Sequence, residues 1–419
     1  MELRPPRGTE DLLPPASETM AALYEQAHAL AHRYGYRYVE TPAFEVTELF
    51  ARSSGQTSDV VSKEMYTFED RGGRSLTLRP ESTAPVVRAY LEHRQRLTTP
   101  FKAYYIELNW RYGRPQKGRL REFRQFGVEV LGVASPEADV EVVVLADVFL
   151  RGAGLSRFEL QINSIGDEVC RPAYREELVE YLEAHRDRLR DEHRDRFRDN
   201  PMRVLDCKDE GCRDVAADAP KILDRLCDPC RDHFEQVQSA LEAEGVKAVP
   251  TPTLVRGLDY YTRTAFEFVS DVLSVQQATV CGGGRYDGLA EVLGGPPTPG
   301  VGFGLGLDRV LLALEGEGAD RPAVGVTCFV VGVGPGRPKS FELLRALRAA
   351  GISADAPFED RPLGSQMKMA DRAGAAYALI VGPQEAADGT VTVRRLEDGN
   401  QDTVPATDAP QWILRQVEA

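Results

Sequence analysis

The sequence predicts an α+β fold, with a largely antiparallel sheet domain, a helical insertion and a small C-terminal α/β domain. Strand-like runs lie far apart in the chain with helical patterns between them, which favours an antiparallel arrangement. Residues 171–200 are almost all charged or helix-forming, which is typical of a peripheral helical insertion. After a Gly- and Pro-containing acidic stretch at 315–323, strands and helices alternate to the C-terminus. We therefore expect separate structural units.

Length and composition limit the number of domains and the class of protein. A chain of 419 residues is too long for one ordinary hydrophobic core, so two or three domains are expected. The longest apolar run, near 142–146, is far shorter than the ~20 residues of a membrane span, and the N-terminus has no apolar signal segment. Seven cysteines, an odd number, suit a reducing compartment. These features predict a cytoplasmic protein without a membrane segment.

The first part of the chain alternates helix and strand signals. Helical spacing begins at Ser17 and stops at Gly35, a short strand at 36–41 ends at Pro42, and Thr83 can cap another helix. The remaining signals are strands at 74–79, 101–111 and 121–131, and a helix from Ser135 to Gly152 or Gly154. Strand-rich sequence returns at 254–314. In the C-terminal part, strands are predicted at 327–333, 377–381 and 390–396, and helices at 339–350 and 363–374.

A dense basic patch lies between the two long strands at 101–111 and 121–131. It contains six cations and one acidic residue, namely Arg111, Arg114, Lys117, Arg119, Arg121 and Arg124 against Glu122. A solvated, salt-bridged surface is the usual explanation of such a patch, and the net charge of −14 argues against nonspecific nucleic-acid binding. However, Gly113, Pro115 and Gly118 form a loop that a polyanion can approach closely, which favours phosphate binding.

A second candidate for nucleotide binding is the glycine-rich stretch 302–306, which leads into a helix carrying Arg309. The chain contains no Gly-Lys dipeptide, so the P-loop that many ATP-binding proteins use is absent. A strand of glycines lets a flat nucleotide lie against the backbone, with the arginine over phosphates or base.

Three stretches in order resemble the motifs of class II aminoacyl-tRNA synthetases. They are Tyr34 to Pro42, Asn109 to Glu129, and Gly300 to Leu314. More specific stretches resemble the histidyl-tRNA synthetase family: Leu254-Val255-Arg256-Gly257-Leu258-Asp259-Tyr260-Tyr261, Cys281 to Leu289, Arg7 to Pro14, Thr77 to Glu81, and Arg114 to Arg119. The resemblance covers nearly all of the chain, although the insertion matches in position more than in motif.

The resemblance implies a class II antiparallel catalytic domain and a C-terminal anticodon-binding domain. It divides the chain into catalytic segments at 1–170 and 246–316, an insertion at 171–245, and an anticodon-binding domain at 325–419. It also implies a homodimer that uses ATP with Mg²⁺ to join L-histidine to its cognate tRNA through a histidyl-adenylate, releasing AMP and pyrophosphate.

By the same resemblance, four arginines would act on ATP and the histidine carboxylate. Arg111 would bridge the carboxylate and the α-phosphate, and Arg119 and Arg309 would hold the phosphates and adenine. Arg256 would stabilise the α-phosphate at the point of attack. Cations aimed at charge that develops in the transition state are what this chemistry requires.

Histidine would be bound by polar residues in matching positions. Its ammonium group would meet Glu81, with Ser82, Thr83 and Gln125 beside it, and its imidazole would be read by Glu129 and by Tyr261 with Tyr260. From the residues alone, Glu129 could equally be a strand glutamate in a surface salt bridge, and the two tyrosines could be core packing. Gln116, with Arg114, would read the extra 5′ guanosine of histidine tRNA.

Two positions depart from the family pattern, since Gly113 stands where glutamate is usual and Arg124 where histidine is common. The missing glutamate keeps open a non-catalytic, histidine-sensing regulatory relative from histidine biosynthesis, which would lack the anticodon domain. Another class II synthetase, for proline or threonine, is a third alternative.

Two cysteine pairs in the insertion suggest a structural metal. Cys207-x₄-Cys212 and Cys227-x₂-Cys230 are fourteen residues apart, a spacing compatible with tetrahedral Zn²⁺ ligation. The insertion is poor in large apolar residues, so a metal would supply folding energy. Four reduced cysteines, some of them buried, are the alternative.

Overall fold

A computed structural model describes residues 3–53, 60–207, 209–255, 260–274, 277–319 and 325–417. The chain separates into two compact units, Met1–Asp320 and Arg321–Ala419. In the described parts of the chain, no helix is long and apolar enough to cross a membrane.

The first unit contains eleven α-helices among its described residues: α1 (Ala16–Arg33), α2 (Thr47–Ser53), α3 (Thr83–His93), α4 (Pro136–Gly152), α5 (Arg171–Ala184), α6 (Asp191–Arg194), α7 (Met202–Leu205), α8 (Glu210–Ala217), α9 (Asp228–Ala243), α10 (Leu289–Val292) and α11 (Leu307–Glu317). Its strands are β1 (Arg37–Tyr38), β2 (Phe44–Val46), β3 (Thr67–Glu69), β4 (Ser75–Leu78), β5 (Phe101–Trp110), β6 (Glu122–Leu131), β7 (Phe158–Ser164), β8 (Ala248–Pro250), β9 (Thr262–Ser270), β10 (Thr279–Arg285) and β11 (Gly300–Gly306).

Eight of these strands form one sheet in the order β1-β5-β6-β11-β10-β9-β7-β8. The six central strands are antiparallel to one another, and the short outer strands β1 and β8 pair in parallel with β5 and β7. This confirms the α+β prediction. The predicted strands at 101–111 and 121–131 are the central β5–β6 hairpin, in which Phe101 pairs with Leu131 and Trp110 with Glu122.

Helices α1, α4 and α11 supply apolar faces to the main core of this sheet. Alternation along β6 buries Phe126, Val128 and Val130 against that layer. The Phe126 ring lies 5.5 Å from Phe303 of β11 and 5.0 Å from Phe149 of α4. The opposite face carries a second core cluster, which includes Phe101 and Tyr105, and leaves room beside it for polar side chains.

The insertion is helical, as predicted, and comprises α5 to α9. It also has a core of its own, which includes Tyr174, Leu178, Leu182 and Phe197. The expectation that it is poor in large apolar residues is therefore wrong, because α5 alone buries Tyr174, Leu178 and Leu182, and the shorter segments add further apolar side chains to the same centre. The predicted linker at 315–323 is also wrong at its start, because α11 continues to Glu317 and ends at Gly318, whose φ of 64° is left-handed.

The second unit is an α/β domain with strands β12 (Cys328–Gly332), β13 (Ala354–Asp355), β14 (Tyr377–Val381), β15 (Thr390–Arg395) and β16 (Gln401–Pro405). Its helices are α12 (Arg337–Ala349), α13 (Leu363–Arg372), α14 (Pro383–Asp388) and α15 (Ala409–Val417). The sheet order is β13-β12-β14-β15-β16, with the first three strands parallel. Three strands and two helices match the prediction, while β13, β16, α14 and α15 are additional.

Candidate active site

A cleft with about 330 Å³ of space opens on the face of the first unit's sheet opposite the main core. Its lining includes Arg111, Arg119, Arg309 and Gln125, so four predicted site residues share one cavity. Its floor is flat because Gly304 of β11 pairs with Gly127 on one side and Gly282 on the other. A row of glycines across three strands lets a planar group lie against the backbone.

The three arginines of the cleft are held by different parts of the chain. Arg111 donates from Nε to the Pro80 carbonyl at 2.8 Å, and Arg309 donates from Nη1 to the Thr279 carbonyl at 2.7 Å. Burial lowers the pKa of Arg309, and the neighbouring Arg111 and Arg119 lower it further. Mutually repelling cations in one cleft are stabilised when a polyanion enters between them.

Arg124, the fourth arginine that lines this cleft, is already neutralised. Its Nη1 donates to Asp308 Oδ1 at 2.9 Å, and its backbone N–H donates to Asp308 Oδ2 at 2.6 Å. Arg124 therefore ties β6 to α11 at the edge of the cleft and adds little net positive charge there.

At Gly113 the cleft lacks the glutamate that the family pattern has at this position. A Cβ at Gly113 would lie 3.1 Å from Arg119 Nε. A carboxylate is nevertheless present, because Glu64 forms an ion pair with Arg119 from a distant segment of the chain. The Tyr112 N–H fixes that segment by donating to the Glu64 carbonyl at 2.7 Å. The sequence analysis missed Glu64, since no motif spacing links it to the loop.

Beside the cleft lies a fully buried carboxylate, Glu129 of β6. Its Oε1 accepts from the Thr83 hydroxyl at 2.8 Å and from the Tyr105 hydroxyl at 3.2 Å, and its Oε2 accepts from the Tyr286 hydroxyl. Burial raises the pKa of Glu129 to about 8, although the Tyr286 and Thr83 hydroxyls act in the opposite direction. The surface salt-bridge alternative is therefore wrong for this residue.

Glycines of β11 make room for this buried network. A Cβ at Gly302 would collide with the Glu129 carboxylate, and a Cβ at Gly300 would collide with the Tyr286 ring. The glycine-rich stretch therefore serves two purposes, because 304–306 borders the open cleft and 300–302 admits the side chains of the buried pocket.

Glu81 caps a helix. Its carboxylate accepts from the backbone N–H groups of Thr83 at 2.7 Å and Ala84 at 3.1 Å, at the start of α3. Burial raises the pKa of Glu81, and the two amides and the nearby Arg111 act to lower it. The carboxylate is thus fixed in orientation between the helix terminus and the arginine of the cleft.

Other predicted histidine-binding residues join the same polar layer. The Ser82 hydroxyl donates to Asn109 Oδ1 at 3.2 Å, and Asn109 Nδ2 donates to Gln125 Oε1 at 2.8 Å. This chain of contacts links the Glu81 turn to the floor of the cleft. Asn109 was not predicted as a site residue, although it lies in the Asn109-Trp110-Arg111 stretch.

Aromatic rings close the pocket around Glu129. The Tyr260 ring centroid lies 4.7 Å from that of Tyr261 and 5.7 Å from that of Tyr286. Both predicted tyrosines are buried in a core cluster that also contains Tyr105 and Tyr286. The Tyr260 hydroxyl is buried without a hydrogen-bond partner among the described residues. Tyr105 and Tyr286 were missed by the sequence analysis, although Tyr286 lies within the Cys281–Leu289 stretch.

The loop that carries Arg114 and Gln116 projects from the β5–β6 hairpin. Gln116 and Arg119 exchange backbone hydrogen bonds of 3.2 and 2.9 Å in a tight turn, and Arg114 is exposed. Both side chains therefore lie outside the ring of residues around Glu129. Arg256, the predicted catalytic arginine, lies outside the described residues.

The predicted zinc site is wrong in its ligand set of Cys207, Cys212, Cys227 and Cys230. The structure divides these four thiols between two groups of ligand atoms: Asp167, Cys170, Cys227 and Cys230, and separately His193, Cys207 and Cys212. The two pairs lie in different parts of the insertion. Cys227 and Cys230 lie at the start of α9, next to the turn that precedes α5. Cys212 lies elsewhere, where its Sγ accepts from the Arg190 N–H at 3.4 Å.

Comparisons of sequence and fold with known proteins find relatives that match nearly the whole chain. The family model described as Histidyl-tRNA synthetase matches residues 8–310, and that described as Anticodon binding domain matches residues 327–416. A histidine–tRNA ligase of Moorella thermoacetica is 50% identical over 99% of this chain and 98% of its own length. One of Pelotomaculum thermopropionicum is 48% identical over 98% and 97%. The crystal structure of apo S. aureus histidyl-tRNA synthetase is 37% identical, with a TM-score of 0.80 over 98% of this chain and 100% of that one.

Replacing Glu129 with Gln is expected to flatten the pH dependence of stability. The pKa of Glu129 rises from 4.5 to about 8 on folding, so between these values the folded state holds a proton that the unfolded state has released. Stability therefore falls as pH rises through that window, and Glu129→Gln removes a slope of at most about 1.4 kcal/mol per pH unit.

Thermal unfolding of both proteins from about pH 5 to about pH 8 measures this slope, with the exposed Glu92→Gln as the matched control. A constant difference between the Glu129→Gln and unsubstituted midpoints across that range would mean that the carboxyl is not protonated in the folded state.

Proposed function

The chain belongs to the histidyl-tRNA synthetase family and joins histidine to tRNA with the use of ATP, and from that premise we propose how its residues divide the reaction. The observation that carries the proposal is the junction of two sites on one sheet face. A cationic, glycine-floored cleft suits ATP, and the Glu129 pocket beside it suits an imidazole. The full-length relatives are ligases, so the regulatory relative is not favoured.

In the cleft, Arg119 and Arg309 would hold the phosphates and the base of ATP. Adenine would lie over Gly282 and Gly304, where backbone replaces side chains. ATP would enter as its Mg²⁺ complex, and Glu267, which lines the same cleft, offers an oxygen ligand of the type Mg²⁺ prefers. The anionic substrate would then offset the repulsion among the arginines.

In the buried pocket, Glu129 and Tyr261 would read the imidazole, with Tyr260 and Tyr286 closing around the ring. Neutral imidazole has one N–H donor and one acceptor nitrogen, so a carboxylate and a phenol can recognise both. Glu81, Ser82, Thr83 and Gln125 would bind the ammonium end. A site built of buried hydrogen-bonding groups rejects apolar analogues, because their binding leaves those groups unpaired.

Activation would then join a histidine carboxylate oxygen to the α-phosphorus of ATP, while the bond from that phosphorus to the β-phosphate bridging oxygen breaks. Arg111 lies between the Glu81 turn and the cleft and would touch both anions. Arg256 would stabilise charge on the α-phosphate, which is a proposal from family resemblance. The histidyl group would pass to tRNA with release of AMP, in the cytoplasm where tRNA is charged.

The remaining parts of the chain would bind tRNA and a second copy of the protein. The C-terminal unit would contact the anticodon, and Gln116 with Arg114 would contact the acceptor end. A homodimer is supported by apolar side chains on the short strands of the first unit, where Tyr38, Phe44 and Phe68 are 46%, 49% and 43% exposed. Strand β1 lies at the edge of the large sheet, where a second chain can pack.

Exchange of pyrophosphate into ATP tests the activation step, with each of the twenty amino acids in turn. Histidine alone is expected to support it, and Arg256→Ala is expected to slow it by about 10²–10³-fold because one preorganised cation is lost. Arg94→Ala, at the exposed end of α3, is the control. If none of the twenty amino acids supports exchange, the regulatory relative is favoured. Exchange supported by proline or threonine would overturn the proposed histidine specificity.

Gln116→Ala is expected to separate charging from activation. It should lower kcat/KM for tRNA by about 5- to 150-fold, equivalent to about 1–3 kcal/mol for a lost base contact, and leave pyrophosphate exchange nearly unchanged. Arg119→Ala, from the same turn but in the cleft, should impair both activities. Parallel loss of both activities in Gln116→Ala would assign Gln116 to the ATP site instead.

The double substitution Phe44→Glu with Phe68→Glu is expected to convert the dimer to monomers, because it places charge in an apolar contact. The two rings lie 6.2 Å apart on β2 and β3. Sedimentation velocity measures the mass, and Phe358→Glu, at an 87% exposed ring of the C-terminal unit, is the control. A dimer that survives the double substitution would place the interface elsewhere.

A further inference from the structure

Two short turns meet at the base of the insertion, and each presents two metal-ligand side chains at the same spacing. Asp167-x₂-Cys170 lies between the end of β7 and the start of α5. Cys227-x₂-Cys230 lies at the start of α9, with Cys227 as the residue before the helix. Although 56 residues separate Cys170 from Cys227 in the printed sequence, their ligand atoms belong to one cluster.

Two distances within this cluster match the edges of a tetrahedral site, and the other ligand atoms lie close enough to complete it. One ligand atom from each of Asp167, Cys170, Cys227 and Cys230 lies within 4.8 Å of all the others. Asp167 Oδ1 is 3.6 Å from Cys170 Sγ and 3.8 Å from Cys227 Sγ. A Zn²⁺ with Zn–S near 2.3 Å and Zn–O near 2.1 Å requires ligand-to-ligand edges of about 3.6–3.8 Å.

Neighbouring groups orient the ligands as they do around protein-bound metals. The Arg263 Nη2 lies 3.5 Å from Asp167 Oδ2, and Oδ1, which faces the thiols, also accepts from the Val169 N–H at 3.0 Å. The Asp167 backbone N–H donates to Cys170 Sγ at 3.4 Å. Gly166, with φ of 66°, lets the chain fold over that sulfur, since a Cβ there would lie 2.7 Å from it. Outer contacts of this kind fix ligand geometry.

We propose that Asp167, Cys170, Cys227 and Cys230 bind one structural Zn²⁺ that joins the entry of the insertion to its last helix. Three thiolates select a soft or borderline cation, and one carboxylate with tetrahedral edges favours zinc over an iron–sulfur cluster. Three thiolates, one carboxylate and a divalent cation leave a formal charge of −2, which Arg263 and the amino-terminal ends of α5 and α9 offset.

The site lies one residue from a contact with the histidine pocket. Arg171, next to Cys170, donates from Nη2 to the Tyr261 carbonyl at 2.7 Å and to the Gly166 carbonyl at 3.0 Å. A metal that fixes the Asp167–Cys170 turn therefore also fixes the backbone that carries Tyr261. The ion would position the pocket without touching the substrate.

The second group, His193 with Cys207 and Cys212, gives an internal comparison. It offers three ligands where the first group offers four. Since structural zinc sites are almost always closed by four protein ligands, the proposal assigns zinc to the first group.

Elemental analysis of the full-length chain, purified without chelator, tests the proposal. One zinc per chain is expected, and Cys227→Ser with Cys230→Ser should lose that equivalent, whereas Cys207→Ser with Cys212→Ser should retain it. Asp167→Cys should keep the ion, since it completes a four-thiolate site. Growth with Co²⁺ gives a readout that needs no variant, because tetrahedral Co²⁺ with three thiolates has intense visible absorption and sulfur-to-metal charge-transfer bands.

Three results would overturn the proposal: well under one zinc per chain, a Co²⁺ spectrum without thiolate charge transfer, or zinc that follows Cys207 and Cys212 only. Histidine-dependent pyrophosphate exchange is measured on the same preparations. Normal exchange by the unsubstituted protein purified without bound zinc would refute the metal site and leave the proposed function intact.

Discussion

A carboxylate buried at the centre of a sheet needs hydrogen-bond donors, and Glu129 draws its donors from three different parts of the chain. Thr83 begins α3, Tyr105 lies on β5 and Tyr286 follows β10. Because a buried carboxyl group without hydrogen-bond partners is costly in either protonation state, each of these elements stabilises the burial of Glu129. The same requirement explains Gly300 and Gly302, since side chains on β11 would exclude the Tyr286 ring and the carboxylate. The pocket that suits an imidazole is therefore also what fixes the relative positions of α3, β5, β6 and β11.

Charge is distributed so that an acidic protein presents a cationic cleft. The net charge is −14, yet Arg111 and Arg309 line the cleft held by backbone carbonyls, which orient a guanidinium without cancelling its charge. Arg124 is treated differently, since Asp308 neutralises it. Arg119 pairs with Glu64 at a partly exposed position, so an incoming phosphate can compete for it at little cost. The electrostatic potential in the cleft therefore depends on which arginines donate to backbone carbonyls and which form ion pairs with carboxylates.

The sequence was most informative where periodicity and glycine placement act within one element. The β5–β6 hairpin, the glycine-rich β11 and the helix carrying Arg309 were all predicted, because alternation and turn residues determine them locally. Glu64 was not predicted, because its role arises from a fold that brings segment 60–64 beside a loop fifty residues away. The cysteines show the same limit. From spacing alone, Cys227 and Cys230 were grouped with Cys207 and Cys212, the nearest cysteine pair in the sequence. In the structure they lie beside Asp167 and Cys170, at the other end of the insertion. The Asp-x₂-Cys spacing was available in the sequence, but an aspartate is too common a residue to mark a site by itself.

The insertion is connected to the large sheet at both of its ends, and both connections run towards residues of the Glu129 pocket. At its start, Arg171 binds the carbonyl of Tyr261. Towards its end, His233 of α9 places Nε2 3.3 Å from Asp139 Oδ1, and Asp139 in turn pairs with the fully buried Arg285. Arg285 directly precedes Tyr286, whose hydroxyl donates to Glu129. Removing one partner of a buried ion pair leaves an uncompensated charge, so Asp139 and Arg285 hold each other, and with them the Tyr286 backbone, in one arrangement. An element with its own apolar core is thereby anchored to two tyrosines of the Glu129 pocket, through the backbone at Tyr261 and at Arg285.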